Sequence, residues 1–217
     1  RSASLRGGQT DPGAGKLVIT KETNDKWCRV KTIVSTRYGY LLLSLRGVDS
    51  NTVVAASVDK IGKSEHPWVL TLVQAAKLAG AKVKVLLVDG AYCVGDVLWR
   101  LKHEEKVDFI VPADSSMLIT GDARGLAQLL EEGAIVKETR EIRAVGVKGL
   151  STYDAYCPPR NDGRRGPKPT LNAVVVTRWK WREVPREEQK VLITSLPVDD
   201  PLLIVELYRK RAEMENK

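Results

Sequence analysis

The stretch Val83-Lys84-Val85-Leu86-Leu87-Val88-Asp89-Gly90-Ala91-Tyr92 restricts the fold more than any other part of the chain. It is a short apolar run rich in β-branched residues, preceded by Gly80 and closed by Asp89-Gly90. That pattern predicts a buried strand covered on both faces. A carboxylate at the carboxyl end of such a strand points into the crevice where open α/β sheets bind ligands. Asp-Gly also starts turns that have no further role. From this stretch alone both readings of Asp89 stay open.

Around it the chain alternates strands with helices. Arg1 to Lys16 reads as a glycine-rich loop. Leu17 to Thr20 is a first apolar piece, broken at Asn24-Asp25. Trp27 to Ser35 and Tyr40 to Val48 predict a hairpin that turns at Arg37-Tyr38-Gly39. Val53 to Val58 has apolar character but no clear type. Pro67 to Leu78 carries apolar residues at helical spacing, with Pro67 suited to the first turn and Gly80 to the stop. Val94 to Lys102 predicts a second helix, Val107 to Val111 a short buried strand, and Leu126 to Glu132 a third helix stopped by Gly133. The alternation argues for an α/β sheet with a parallel portion.

After Ala134 the pattern becomes strand-rich. Ile135 to Arg143, Ala144 to Val147, Ala173 to Lys180 and Val191 to Leu196 read as strands, interrupted by a polar loop from Pro158 to Thr170. Residues 134–187 read as a mainly β insertion in the sheet domain. Asp199-Asp200-Pro201 is placed to cap a final helix.

The bulk numbers bound the partners. The chain has 217 residues and a net charge of +8, with a sequence pI near 9.4. A basic surface favours a polyanion such as DNA. The densest basic patches are Arg160 to Lys168 and Arg178 to Arg186. Cys28, Cys93 and Cys157 show neither metal spacing nor a disulfide framework, which fits a reducing, cytoplasmic setting. No apolar run is long enough to cross a bilayer. The chain starts at Arg1 rather than Met, so an N-terminal part of a longer protein is expected to precede it.

The last helix, Leu202 to Lys217, is apolar at first and then highly charged. Tyr208, Arg211 and Glu215 fall at i, i+3 and i+7 and share one helix face. A solvated surface helix has such a pattern too. Yet Tyr-x-x-Arg-x-x-x-Glu, following a strand of the type Leu-Ile-Thr-Ser-Leu, resembles the signature around the third acidic residue of DDE-type insertion-sequence transposases. Val-Asp-Gly-Ala-Tyr at Asp89 resembles the context of the second acidic residue in that family. The resemblance covers residues 17–217 and implies a ribonuclease-H-like fold with a mainly β insertion before the last helix.

The resemblance implies a DNA transposase catalytic domain that cleaves transposon ends and transfers strands into target DNA. It implies Asp89, Glu215 and a further upstream aspartate as ligands of two Mg²⁺ or Mn²⁺ ions. It also implies a homodimer on paired DNA ends, in a bacterial or archaeal cytoplasm, associated with the nucleoid when bound to DNA. Asp11 is the upstream residue chosen; otherwise the residue lies before Arg1 or is lost in a degenerate copy. Tyr208 and Arg211 would orient the DNA backbone or support Glu215. A guanidinium matches phosphate bidentately, and a salt bridge from Arg211 to Glu215 is the plainer alternative. Trp179 and Trp181 alternate with Arg178, Lys180 and Arg182, so Arg178 and Lys180 are placed either to hold DNA phosphate beside stacked bases or on a strand with one packed face. His66 and His103 read as structural. Two rival functions remain: a degenerate transposase remnant that only binds nucleic acid, and an unrelated α/β hydrolase with Asp89 as a lone acid.

Overall fold

The computed structural model describes residues 2–7, 10–24, 30–50, 52–129, 136–139, 142–150, 171–178 and 188–215. The chain divides into two compact units, Arg1–Ala81 and Lys82–Lys217.

The first unit is an antiparallel sheet with one helix. Its strands are β1 (Ser2–Arg6), β2 (Gly15–Asn24), β3 (Val30–Arg46) and β4 (Val53–Lys60), followed by α1 (His66–Leu78). The long β3 pairs with all three other strands. Leu41, Leu43 and Leu72 form its small core, with Leu45, Ala55 and Trp68 packed around them. Trp68 Nε1 donates to Asp59 Oδ2 at 3.0 Å, which ties α1 to β4.

The predicted hairpin is corrected here. No turn occurs at Arg37-Tyr38-Gly39; one strand runs through it, and its hairpin partner is β2. Gly39 serves a close backbone approach instead. A Cβ there would lie 2.0 Å from the carbonyl oxygen of Leu5 on β1. Glycine inside a strand often marks such a crossing.

The second unit holds the stretch from which the fold was read. Its elements are β5 (Val85–Leu87), a single 3₁₀ turn at Gly90–Tyr92, α2 (Gly95–His103), β6 (Asp108–Pro112), α3 (Leu118–Leu129), β7 (Val136–Glu138), β8 (Ile142–Leu150), β9 (Leu171–Arg178), β10 (Glu188–Thr194) and α4 (Pro201–Glu215). The sheet order is β5-β6-β10-β9-β8-β7. β5 and β6 are parallel, whereas β10 runs antiparallel to both β6 and β9. The result is a mixed α/β sheet with helices, in agreement with a ribonuclease-H-like fold. The strand-rich segment before the last helix extends this sheet through β7, β8 and β9.

Both faces of the sheet are buried. Ile110, Ala144, Val174, Val176 and Leu192 form one apolar layer with Ile204 and Val205 of α4. The alternate residues Phe109, Val111, Ala173, Val175 and Ile193 are also buried, and strand geometry turns them to the other face. That double burial explains why the strands read as unbroken apolar runs. Thr177 and Thr194 are buried polar residues of this sheet, and the Thr194 hydroxyl donates to the Phe109 carbonyl at 2.7 Å.

Two further boundaries differ from expectation. α3 begins at Leu118, well before the predicted Leu126. Gly121 and Gly125 lie within it and weaken its helical signature, since glycine costs about 1 kcal/mol in a helix interior. Two strands occur where two were predicted, but the predicted break between Arg143 and Ala144 falls inside β8, and β7 ends at Glu138. Among the described residues no helix is long and apolar enough to cross a membrane.

Candidate active site at the end of strand β5

Strand alternation aims Asp89. Val85 and Leu87 pack in the layer that α4 covers, while Leu86 and Val88 are buried and turn to the opposite side. Asp89, two residues beyond Leu87, therefore emerges on the α4 face. The Val88 N–H still donates to Ile110 O at 3.2 Å, so the backbone stays on the sheet up to this point. Asp89 then leaves it with φ −75° and ψ 161° and caps the 3₁₀ turn. Its Oδ1 accepts from the Gly90 N–H at 2.6 Å. The turn closes with Tyr92 N–H donating to Asp89 O at 2.9 Å.

α4 supplies the partner. Pro201 opens it, and Ile204 and Val205 anchor it to the sheet. One turn further on, half-buried Tyr208 donates its hydroxyl to Val88 O at 3.2 Å. Arg211 Nη1 donates to Tyr208 Oη at 3.3 Å. The other terminal nitrogen, Nη2, lies 3.2 Å from Asp89 Oδ2. Asp89, Tyr208 and Arg211 thus meet as one group. The Arg211 side chain is mostly buried at 21% exposure, while that of Asp89 is 59% exposed. The carboxylate therefore remains open to solvent and solutes.

Glu215 is the last residue of α4, one turn beyond Arg211; its side chain lies outside the described residues. Arg178 ends β9. Since β9 runs parallel to β5 across the mixed sheet, Arg178 stands at the same end of the sheet as Asp89. Its side chain, and the whole of Lys180, Trp179 and Trp181, lie outside the described residues.

Asp11 belongs to the first unit, in the link from β1 to β2. Its Oδ1 accepts from the Gly13 N–H at 3.0 Å, and Tyr40 donates its hydroxyl to Oδ2. The Tyr40 hydrogen bond, followed by that from Gly13, holds the carboxyl below the usual carboxylate range. Conversely, the Asp11 carboxylate pushes the Tyr40 phenol up. A depressed carboxyl pKa contributes stability that is complete above the unfolded-state value and is lost as pH falls through the folded value. Tyr40→Phe is expected to return the Asp11 carboxyl toward its ordinary range, read by an NMR titration of the side-chain carbon. An unchanged titration would show that Tyr40 does not set it.

Carboxylate oxygens suit a hard divalent cation, so Asp89 is a fitting ligand by chemistry and by access. Among the described residues no three His, Cys, Asp or Glu side chains cluster to hold a metal; Glu215 stands outside that set. The contact of Arg211 with Asp89 was not evident from sequence. Helical spacing shows which residues share a face, not which strand end that face meets.

No curated protein matches the chain. A family model described as Transposase DDE domain matches residues 16–217, beginning beyond Asp11. With nearly the whole chain matched, and the strand-end aspartate and last helix in contact, the chain belongs to the transposase DDE domain family, whose members act on DNA with divalent metal ions.

Proposed function

We propose that this chain is the catalytic domain of a transposase that cuts the ends of a mobile DNA element and joins them to target DNA. The observation that carries this reading is the junction of Asp89 with Tyr208 and Arg211. It brings the strand end of one sequence signature against the helix of the other. Asp89 and Glu215 would hold Mg²⁺ or Mn²⁺, and Asp11, which lies before the family match, is the upstream aspartate that the sequence offers for a third ligand. Two such ions, when bound, stabilise charge on the attacking and leaving oxygens of a phosphodiester.

The protein's own groups do the positioning. Tyr208 fixes the backbone at Val88 and thereby the direction of Asp89. Arg211 presents a planar, permanently charged fork that suits phosphate. Arg178, at the Asp89 end of the sheet, would extend the basic track along the DNA backbone, and Lys180 would join it on the sequence pattern alone. The chain would act as a homodimer on paired ends.

A second reading has a specific observation behind it. Both carboxylate oxygens of Asp11 already serve the local turn and Tyr40, as a structural aspartate would. A copy without a third ligand would bind DNA without cutting it.

Supercoiled plasmid incubated with the chain and Mn²⁺ separates the two. Nicking that needs the metal supports the transposase reading. Salt-sensitive binding with no nicking under any divalent cation supports the remnant.

A further inference from the structure

The guanidinium beside Asp89 bears on how the site would take up a cation. A carboxylate oxygen held at 3.2 Å by Arg211 is charge-neutralised, and a cation approaching Asp89 must compete with or displace that guanidinium. Its other oxygen is engaged by the Gly90 N–H. Arg211 is itself steadied by Tyr208, whose hydroxyl is anchored on Val88 O. The arrangement therefore holds a positive charge where the reaction needs a metal ion.

We propose that Arg211 is an exchangeable counter-ion, paired with Asp89 in the DNA-free chain and drawn onto a phosphate when DNA binds. Divalent-cation binding and DNA binding are then positively coupled. This inference rests on the reading of Asp89 as a cation ligand. The physical basis is that a guanidinium pairs bidentately with phosphate as it does with carboxylate, and that Asp89 is solvent-accessible enough for the exchange. By linkage, whatever DNA does to cation affinity the cation does to DNA affinity. Free chain would hold metal weakly, and the metal would be taken up where substrate is already in place. Tyr208 is a positioning residue in this scheme, acting through Arg211.

The test is Mn²⁺ binding to the full chain, read from the electron paramagnetic resonance of free Mn²⁺, with and without a short DNA duplex whose own Mn²⁺ uptake is measured separately. Arg211→Gln is expected to bind Mn²⁺ about tenfold more tightly than the parent chain without DNA. The duplex should strengthen Mn²⁺ binding to the parent chain by a similar factor, and to Arg211→Gln far less. Arg211→Lys, which keeps the charge, should stay near the parent. Thermal melts and circular dichroism confirm that each variant is folded. If Arg211→Gln is folded and binds Mn²⁺ no better than the parent, while Asp89→Asn loses binding, the counter-ion proposal is wrong and the Asp89 site stands. If Asp89→Asn binds Mn²⁺ as the parent does, the site reading itself fails and takes the proposal with it.

Discussion

Asp89→Asn is expected to lower Mn²⁺-dependent plasmid nicking by about 10³-fold. A bound cation contributes several kcal/mol of charge stabilisation at the reacting phosphate, and about 4 kcal/mol corresponds to that factor in rate. The substitution preserves the fold. Asparagine keeps an oxygen for the Gly90 N–H, and the ion pair it loses involves a carboxylate more than half exposed, worth under about 1 kcal/mol. Glu215→Gln should show a comparable loss. If both residues serve one site, the double variant should be hardly worse than either single one, since groups that act as a unit are strongly non-additive. Independent, multiplying losses would place the two carboxylates in different sites. Full activity in either variant would remove that residue from the catalytic set.

Phe109→Ala should have the largest effect on stability. Phe109 lies in β6 with no exposed surface, beside the strand that carries Asp89. Its backbone is also committed: its N–H donates to Ser195 Oγ at 3.2 Å and its carbonyl accepts from Thr194. Truncation leaves a cavity that hydrogen-bonded strands on either side cannot close, at a cost of about 3–5 kcal/mol. Urea unfolding followed by circular dichroism should show the midpoint of the second unit falling with little change in slope. Leu118→Ala is the contrast, because that side chain is 82% exposed and should shift stability by at most about 0.5 kcal/mol. Equal effects from the two substitutions would mean that β6 is not the centre of the core.

The parts legible in the sequence were those set by short-range periodicity. The strand before Asp89, the helices that begin near Pro67 and Val94, and the strand ending near Pro112 all appear within a few residues of expectation, because burial on both faces leaves a continuous apolar run. The shared face of Tyr208 and Arg211 was legible for the same reason, and the structure shows both meeting the β5 end. Long-range choices were not legible. Gly39 looks like a turn residue in sequence, yet its role is set by Leu5 on another strand. The first half of α3 was hidden by Gly121 and Gly125. Arg211 could have paired along its own helix, and only the docking of α4 on the sheet brings it to Asp89. Asp11 remains tied to its local turn and to Tyr40, and its sequence context held no signal for that tyrosine.

The hydrogen bond from Tyr208 to Val88 joins residues 120 positions apart. During synthesis at the usual rates of about 5–20 residues per second, on the order of ten seconds separate their emergence from the ribosome. Closing so long a loop adds little free energy, since the cost grows only with the logarithm of length. What it costs is order of events: β5 and β6 exist as chain well before the helix that completes the group around Asp89. A nascent or prematurely terminated chain would carry the strand-end carboxylate without Arg211 beside it. Such products are expected to be silent on DNA, because the group around Asp89 is complete only once α4 has been made.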